Sequence, residues 1–212
     1  MKWTRDSGKE PPKSPAVKRV IEDAAKHGSR LPPGQVLTEK WPVLQYSTIP
    51  RLDLSMWTFK LWGLVEESAL FTWEDFNALP VSTLTNDIHC VTHWSKFDNT
   101  WEGVLARDVL ARVAIRPEAR FAIVHGHDGY TTNVPIDILT GGDSIFAFRH
   151  DGMELTPEHG WPCRLVPPPQ HYLWKGAKWV SGLEFIAEDR PGFWERNGYH
   201  MNANPWREER FS

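Results

Sequence analysis

The chain has 212 residues, 41% hydrophobic and 24% charged, with two cysteines and a formal net charge of −3 at pH 7. This is the composition of an ordinary globular protein with a sizeable core, and it gives no reason to expect nucleic acid as a partner. Two cysteines do not make a secreted disulfide scaffold, no apolar run could span a bilayer, and the first residues have no signal-peptide pattern. We therefore expect a cytoplasmic protein without a membrane span.

The N-terminal part is predicted to be an extension, residues 1–29, that precedes one domain over residues 30–212. The first 15 residues are polar and contain three prolines, which is typical of an N-terminal segment that is disordered or lies along the protein surface. Apolar residues then recur at helical spacing, so the sequence predicts a short amphipathic helix over residues 16–27 that ends at Gly28. The apolar face of this helix would comprise Val17, Val20, Ile21 and Ala24.

Three short elements are predicted next. Residues 30–50 are punctuated by prolines, which indicates an extended segment. Residues 57–61 alternate between apolar and polar side chains and are predicted to form a strand that ends at Gly63. Thr72, with an acid three positions on, is typical of a helix N-cap, and the helix would stop at Pro80. The residues expected to pack inward here are Trp41, Val43, Leu44, Trp73, Phe76 and Leu79.

Residues 87–104 hold one of the two cysteines. Cys90 follows a short apolar stretch and precedes a segment predicted to be a polar, aromatic loop. Its sulfur is therefore expected where a strand ends at a cavity. Three interpretations are open: a buried small hydrophobe, a nucleophile beside a histidine, or a soft metal ligand. The neighbours His89, His93 and Lys96 could each lower the pKa of the thiol, which favours a reactive or ligating thiolate.

The second half of the chain is rich in predicted strands. Two hairpins are expected around Asp128-Gly129 and Asp151-Gly152, which are strong turn signals. The tail from residue 189 is aromatic and irregular. The remaining helices and strands are expected at residues 105–113, 121–125, 130–134, 145–149, 153–155 and 178–186. Strands and short helices alternate without a βαβ rhythm, so the fold class is α+β with mixed or mainly antiparallel sheets.

A second candidate site lies between residues 158 and 180. It offers an imidazole, a guanidinium and two ammonium groups around a glycine-containing turn: His159, Arg164, Lys175 and Lys178. A guanidinium donates bidentate hydrogen bonds and a lysine is a compact charge, so this set suits a phosphate. A solvated basic loop is the open alternative.

The run from His89 to Lys96, followed by residues 101–104, resembles the cofactor-ligand loop of the sulfite-oxidase-type molybdopterin-binding domain. Two later motifs are similar to the same family: D-G-Y-T-T-N-V-P, and H-G-x-P-x-R-L-V-x-P with the K-x-x-K-W that follows. The resemblance extends from about residue 30 to the end of the chain. It is to the cytoplasmic, haem-free subgroup, which is related to the catalytic subunit of methionine sulfoxide reductase.

The resemblance implies a sulfite-oxidase-like fold and a molybdenum- and molybdopterin-dependent oxidoreductase that transfers an oxygen atom or two electrons to or from a small substrate. In the family, the loop cysteine binds molybdenum, which implies that Cys90 is the metal ligand. The implied cofactor-binding residues are His89, Cys90, His159, Arg164, Lys175 and Lys178. Beside Cys90, His93 and Tyr130 are the catalytic candidates, because an imidazole or a phenol could move protons. The sequence has no haem-attachment motif and no iron–sulfur spacing, so an external donor or acceptor of electrons is expected.

The chain departs from true sulfite oxidases after Cys90, where their arginine-rich anion pocket is replaced by the run from His93 to Lys96. With Trp94 and Trp101 nearby, such a pocket favours a neutral or weakly charged molecule with an apolar body, such as a sulfoxide or an N-oxide. Sulfite is therefore predicted to be a poor substrate. Cys163 stands where an aliphatic residue is usual and is interpreted as a packed small hydrophobe.

Two other functions stay open. A zinc hydrolase could use His89, Cys90 and His93, since the two histidines would share a face if they lay on a helix. A non-catalytic module could bind sugars or peptides through its tryptophans, of which the chain has 12. The aromatic tail, residues 192–207, could cover the cofactor edge, form a partner surface or simply pack on the body.

Overall fold

The structure is a computed structural model that describes residues 14–212, so most of the polar N-terminal segment lies outside the described residues. Helix α1, Pro15–His27, begins at Ser14, whose hydroxyl accepts a hydrogen bond from the Val17 amide, and ends at Gly28, where φ is 56°. The predicted helix is confirmed, but its apolar face is not buried: Val17 is 46% exposed. The boundary predicted between residues 29 and 30 stays a prediction.

The other helices are short, and the described residues contain eleven strands. The strands are β1 Val36–Leu37, β2 Thr58–Gly63, β3 Ala69–Thr72, β4 Val81–His89, β5 Trp94–Leu105, β6 Phe121–Gly126, β7 Thr131–Pro135, β8 Ile145–His150, β9 Met153–Glu154, β10 Arg164–Val166 and β11 Val180–Ile186. The helices after α1 are α2 Trp73–Asn77, α3 Ala106–Leu110, α4 Ile136–Thr140 and α5 Phe193–Arg196. Single 3₁₀ turns lie at residues 28–30, 157–159, 173–175 and 205–207.

The strands form two mixed sheets. The first has the order β1-β5-β8-β10, with β4 added on β5 and β9 on β8, and the second has the order β3-β2-β11-β6-β7. Only two of these pairings are parallel, β1 with β5 and β11 with β2. The prediction of an α+β fold with mixed, mainly antiparallel sheets is confirmed. No helix among residues 14–212 has the length and apolarity needed to cross a bilayer.

Both sheets contribute to one large core. Phe59 of β2, Val104 of β5, Phe146 of β8 and Leu183 of β11 are all fully buried in it. The predicted helix cap is present at the edge of this core: the Thr72 hydroxyl accepts a hydrogen bond from the Asp75 amide, and the Asp75 carboxylate accepts one from the Thr72 amide, which forms a capping box. A smaller cluster contains Cys90, Trp94 and Trp101, so the cysteine lies at the margin of packed apolar residues.

Two expectations about local structure are wrong. The stretch after Cys90 is not a loop: residues 90–93 form a turn, and the 12-residue strand β5 begins at Trp94. Its polar side chains have partners, since Lys96 binds Asp151 and the Asn99 amide donates to a backbone carbonyl, and this lets polar residues stand in a strand. In the extended segment before β2, Val43 and Leu44 are exposed, and only Trp41 packs on the body.

Candidate functional site

A cavity of about 300 Å³ opens between the turn after β4, the extended segment near Trp41 and the residues that flank β10. Five of the predicted site residues line it: Cys90, Tyr130, His159, Arg164 and Lys178. Much of the remaining wall is aromatic: Trp41, Tyr46, Trp94, Trp174, Trp179, Trp194 and Tyr199. The structure therefore brings the cysteine motif and the basic motif to one cavity, although they are separated by some 70 positions in the chain.

Cys90 lies in a tight turn that joins β4 to β5. Its amide donates to the Trp94 carbonyl at 2.8 Å, and the turn is closed by His93, whose φ is 70°. The Cys90 sulfur lies 3.2 Å from the Thr92 hydroxyl. Burial raises the pKa of the thiol, while the Thr92 hydrogen bond and the charge of Arg210 act in the opposite direction. A buried thiol of this kind becomes a thiolate when a metal ion binds to it.

Arg164 is a buried cation without a counterion among residues 14–212. It is 1% exposed, and its guanidinium donates to the carbonyls of His159 at 3.0 Å and Gly176 at 3.3 Å. The Nε atom has no partner, and no carboxylate of the described residues forms an ion pair with this side chain. Burial lowers the pKa of Arg164 to about 10. An uncompensated buried charge is costly, so this position is suited to an anion that enters the cavity.

His159 and Lys178 complete a cation group with Arg164. The His159 ring stacks on Trp41 with 3.8 Å between ring centroids, and burial, followed by the charges of Arg164 and Lys178, lowers its pKa to about 4. Lys178 donates to the Glu158 carbonyl at 2.6 Å, and burial together with Arg164 lowers its pKa to about 7. With a pKa of about 4, the His159 ring is neutral at pH 7 when no anion is bound beside it. An anion beside these groups would favour their protonated forms, so His159 would join the two charged side chains when the anion binds.

Gly160 allows this cation group to assemble. It has a φ of 107°, and a Cβ at this position would lie 3.1 Å from the Cβ atoms of both Arg164 and Lys178. A side chain here would strain the backbone and push the two cations apart. The glycine of the predicted basic motif is therefore required by its geometry.

Lys175 does not belong to the cation group. Its ammonium is buried and bound to Glu195 at 2.6 Å and to the Asn133 carbonyl at 3.1 Å. The structure thus places this predicted cofactor residue in an internal ion pair. The sequence alone could not identify the partner, since Glu195 lies 20 positions away in the tail.

The histidines on either side of Cys90 do not line the cavity. His89 is fully buried, its Nδ1 lies 2.7 Å from the Ser95 hydroxyl, and burial lowers its pKa to about 4. His93 is exposed, with Nδ1 3.0 Å from the Gly34 carbonyl. His89 ends a strand and His93 lies in a turn, so they do not share a helix face as the zinc alternative required. Within residues 14–212, no group of three or more His, Cys, Asp or Glu side chains is placed to hold a metal ion.

The prediction that the polar and aromatic residues after Cys90 face the substrate is also wrong in part. Lys96 is bound to Asp151 at 3.1 Å and to Asn99 at 2.8 Å, away from the cavity. Trp101 is fully buried and donates to Asn86 at 2.8 Å. Of the residues expected to face the substrate, only Trp94 lines the cavity.

Tyr130 does line the cavity, and its hydroxyl is already engaged. It donates to the Trp174 carbonyl at 2.5 Å, and burial raises the pKa of the phenol well above its usual value. The hydroxyl therefore stays protonated, and its hydrogen bond anchors the segment that carries Trp174. Transfer of this proton would require that hydrogen bond to break.

Sequence reasoning missed several residues at this site. Trp41, which the sequence predicts to pack on the body, also stacks on His159, and its ring centre lies 5.1 Å from the Arg164 guanidinium carbon. Trp194 and Tyr199 come from the aromatic tail and line the cavity, which agrees with one of the three roles considered for that tail. The signals for these residues were the high tryptophan content and the aromatic character of the tail, and neither of them assigned a particular residue to the cavity.

Comparisons with known proteins agree with this geometry. Residues 46–194 match the family profile described as oxidoreductase molybdopterin binding domain. The chain is 45% identical over 184 residues to the uncharacterized oxidoreductase YuiH of Bacillus subtilis, a match that covers 86% of this chain and 92% of that protein. It is 26% identical over 173 residues to YedZ1 of Azospira oryzae, provisionally named a protein-methionine-sulfoxide reductase subunit, covering 79% of this chain and 64% of that one.

The fold has a solved counterpart. The crystal structure of the sulfane dehydrogenase SoxCD from Paracoccus pantotrophus superposes with a TM-score of 0.62 at 24% sequence identity, covering 71% of this chain and 42% of that one. The zinc hydrolase and the non-catalytic module are not favoured by any of these similarities. The chain belongs to the oxidoreductase molybdopterin binding domain family and is a molybdenum- and molybdopterin-dependent oxidoreductase of the sulfite-oxidase type.

Proposed function

We propose that Cys90 is the molybdenum ligand, that His159, Arg164 and Lys178 hold the phosphate of the molybdopterin, and that the enzyme reduces a sulfoxide or an N-oxide. One observation carries the proposal. A single cavity joins the Cys90 thiol to a fully buried guanidinium that has no carboxylate partner among the described residues.

The residues present fit this cofactor. A thiolate is a soft, strongly donating ligand of the kind that soft metal sites use. The Arg164 Nε atom is buried without a partner, and an anion in the cavity would give it one. Lys178 adds a compact charge, and Trp41 a flat surface that holds His159 in place. When bound, the cofactor supplies the two-electron redox chemistry and oxygen-atom transfer, while the chain binds and orients it.

The aromatic wall supports a neutral substrate. Apart from the cation group and Cys90, Asp128 is the charged side chain that lines the cavity. With the cation group engaged by a phosphate, no fixed cation remains there for a compact dianion such as sulfite. Aromatic rings make favourable contacts with sulfur and with apolar groups. The provisional name of YedZ1, a methionine-sulfoxide reductase subunit, points to the same substrate class.

Several finer expectations stay predictions. The cavity is not lined by Lys175, His89 or His93. The cofactor-binding roles of Lys175 and His89, and the role of His93 as a proton carrier, therefore rest on the resemblance alone. Cys90 and Cys163 are the only cysteines in the 212 residues, and both are buried, so this sequence offers no iron–sulfur ligands. We therefore propose an external electron carrier. A cytoplasmic location stays a prediction.

Metal analysis and kinetics test the proposal. Purified protein should contain molybdenum and pterin, measured by mass spectrometry and by the fluorescence of the oxidised pterin. Reduction of methyl p-tolyl sulfoxide or trimethylamine N-oxide with reduced methyl viologen should exceed sulfite oxidation in kcat/KM. Efficient sulfite turnover would contradict the substrate assignment, and zinc in place of molybdenum would contradict the cofactor assignment.

A further inference from the structure

The turn that carries Cys90, residues 90–93, is held by side chains from both ends of the chain. The Gln35 side-chain amide donates to the Cys90 carbonyl at 3.0 Å. From the other end, Arg210 donates to the Val91 carbonyl at 2.8 Å. Two consecutive carbonyls of the turn are thus fixed by donors that are distant in sequence from it.

Arg210 is a buried arginine that binds backbone carbonyls and lies against an aromatic ring. It is 6% exposed, its second terminal nitrogen donates to the Pro33 carbonyl at 3.4 Å, and its Nε atom has no partner. Its guanidinium carbon lies 4.9 Å from the centre of the Tyr172 ring. No carboxylate oxygen of the described residues lies within ion-pair distance of it. Burial of a charge that binds only carbonyls and a ring is costly, so a purely structural role would be served better by a neutral donor.

A comparison of buried cations shows that this arrangement is specific to the site. Lys175, which is as buried as Arg210, is neutralised by Glu195 at 2.6 Å. Among residues 14–212, the two buried arginines without an ion pair are Arg164 and Arg210, and both lie against the proposed cofactor region. Arg164 lines the cavity, whereas Arg210 lies behind the Cys90 turn.

We propose that Arg210 is a positioning residue for the metal ligand. It fixes the carbonyl next to Cys90 and places a positive charge behind the turn, and Gln35 fixes the Cys90 carbonyl itself. This inference rests on the proposed role of Cys90 as the molybdenum ligand. Both Gln35 and Arg210 lie outside residues 46–194, so the family match assigns no role to either of them.

The charge and the hydrogen bonds have separable effects. A positive charge in a low-dielectric interior favours the more negative, reduced state of a nearby redox centre and so raises its midpoint potential. The hydrogen bonds limit movement of the turn and so affect kcat. Lysine in place of Arg210 would keep the charge but could not reach two carbonyls with the fixed fork of a guanidinium.

The test uses holoenzyme carrying Arg210→Gln, Arg210→Lys or the control Arg207→Gln, which changes an exposed arginine of the same tail. Molybdenum content, midpoint potential, kcat and KM are measured with an artificial electron donor. Arg210→Gln should lower the midpoint potential and reduce kcat about tenfold or more, with KM changed less than about twofold. Arg210→Lys should keep the wild-type potential with a reduced kcat, and Arg207→Gln should behave as wild type.

Wild-type potential and kcat in Arg210→Gln overturn the inference. If that variant does not accumulate as holoenzyme, Arg210→Lys decides alone: reduced kcat at the wild-type potential supports the inference, whereas wild-type kcat or a lowered potential overturns it. Cys90→Ser separates the two proposals. Molybdenum-dependent turnover in Cys90→Ser would refute the ligand assignment. If Cys90→Ser loses turnover while both Arg210 variants behave as wild type, only the role of Arg210 is refuted.

Discussion

Replacing Arg164 by methionine tests the anion site directly. Methionine is similar in length, flexible and neutral, so it fills most of the same space while it removes the charge. Arg164 is 1% exposed and has no carboxylate partner among residues 14–212. Its charge should therefore matter for cofactor binding more than for folding.

The structure gives the magnitudes. Burial lowers the pKa of Arg164 from the usual arginine value to about 10, which corresponds to roughly 3 kcal/mol of unfavourable free energy for the charged form in the folded chain. Loss of its two hydrogen bonds to carbonyls, in which the donor is charged, costs about 1.5 kcal/mol each. These effects offset, so the free energy of unfolding of the cofactor-free protein should change by less than about 2 kcal/mol. Loss of a charge-assisted hydrogen bond to a phosphate costs ~1.5–3 kcal/mol, or about 10- to 150-fold in cofactor affinity.

The assay compares wild type, Arg164→Met and Arg112→Met, in which an exposed arginine is changed. Pterin and molybdenum per polypeptide are measured after expression with limiting cofactor, and the cofactor-free forms are unfolded in urea. We expect Arg164→Met to lose most of its pterin and to unfold at nearly the wild-type urea concentration. Wild-type pterin content together with a large loss of stability would refute the reasoning, because Arg164 would then be a structural residue.

Three further changes test other parts of the site. Burial lowers the pKa of Lys178 to about 7, so its unfavourable contribution to folding is complete below about pH 7 and disappears toward 10.5. The melting temperature of cofactor-free wild type should thus rise relative to that of Lys178→Met between pH 7 and 10, and a constant difference would contradict this. Cys90→Ser should fold and bind pterin but lose turnover, since a hydroxyl is a poor ligand for a soft metal site; full molybdenum-dependent activity would argue against the ligand assignment. Glu195→Gln leaves Lys175 buried without a counterion and should lower the free energy of unfolding by about 3–5 kcal/mol in urea titrations. A loss below about 1 kcal/mol would show that the pair is not a structural one.

The elements that the sequence predicted well are those determined by local chemistry. The hairpins around Asp128-Gly129 and Asp151-Gly152 form because the turn residues adopt the required backbone angles. The helix after Thr72 forms because its first turn is capped by neighbouring residues. Strand β5 was missed because its polar residues find partners only in the folded sheet, where Lys96 meets Asp151 across 55 positions of the chain.

The site was predictable to the extent that its motifs are contiguous. The resemblance selected Cys90, His159, Arg164 and Lys178, and all four line one cavity. It also selected Lys175, which is close to Lys178 in sequence but is neutralised by the distant Glu195. Local spacing cannot distinguish two such lysines, because the partner of each is determined by tertiary packing. The same limit applies to Arg210, a single tail residue with no pattern around it.

The hydrogen bond from Arg210 to the Cys90 turn has a consequence for the moment at which the growing chain can bind its cofactor. Arg210 is 119 positions from Val91 and 177 from Pro33. Contacts over such separations form late, since long segments of chain must be ordered before they can be made. On the ribosome, the turn leaves the exit tunnel more than a hundred residues before the arginine that braces it. We therefore expect the nascent chain to accept its cofactor only after residue 210 has emerged from the ribosome.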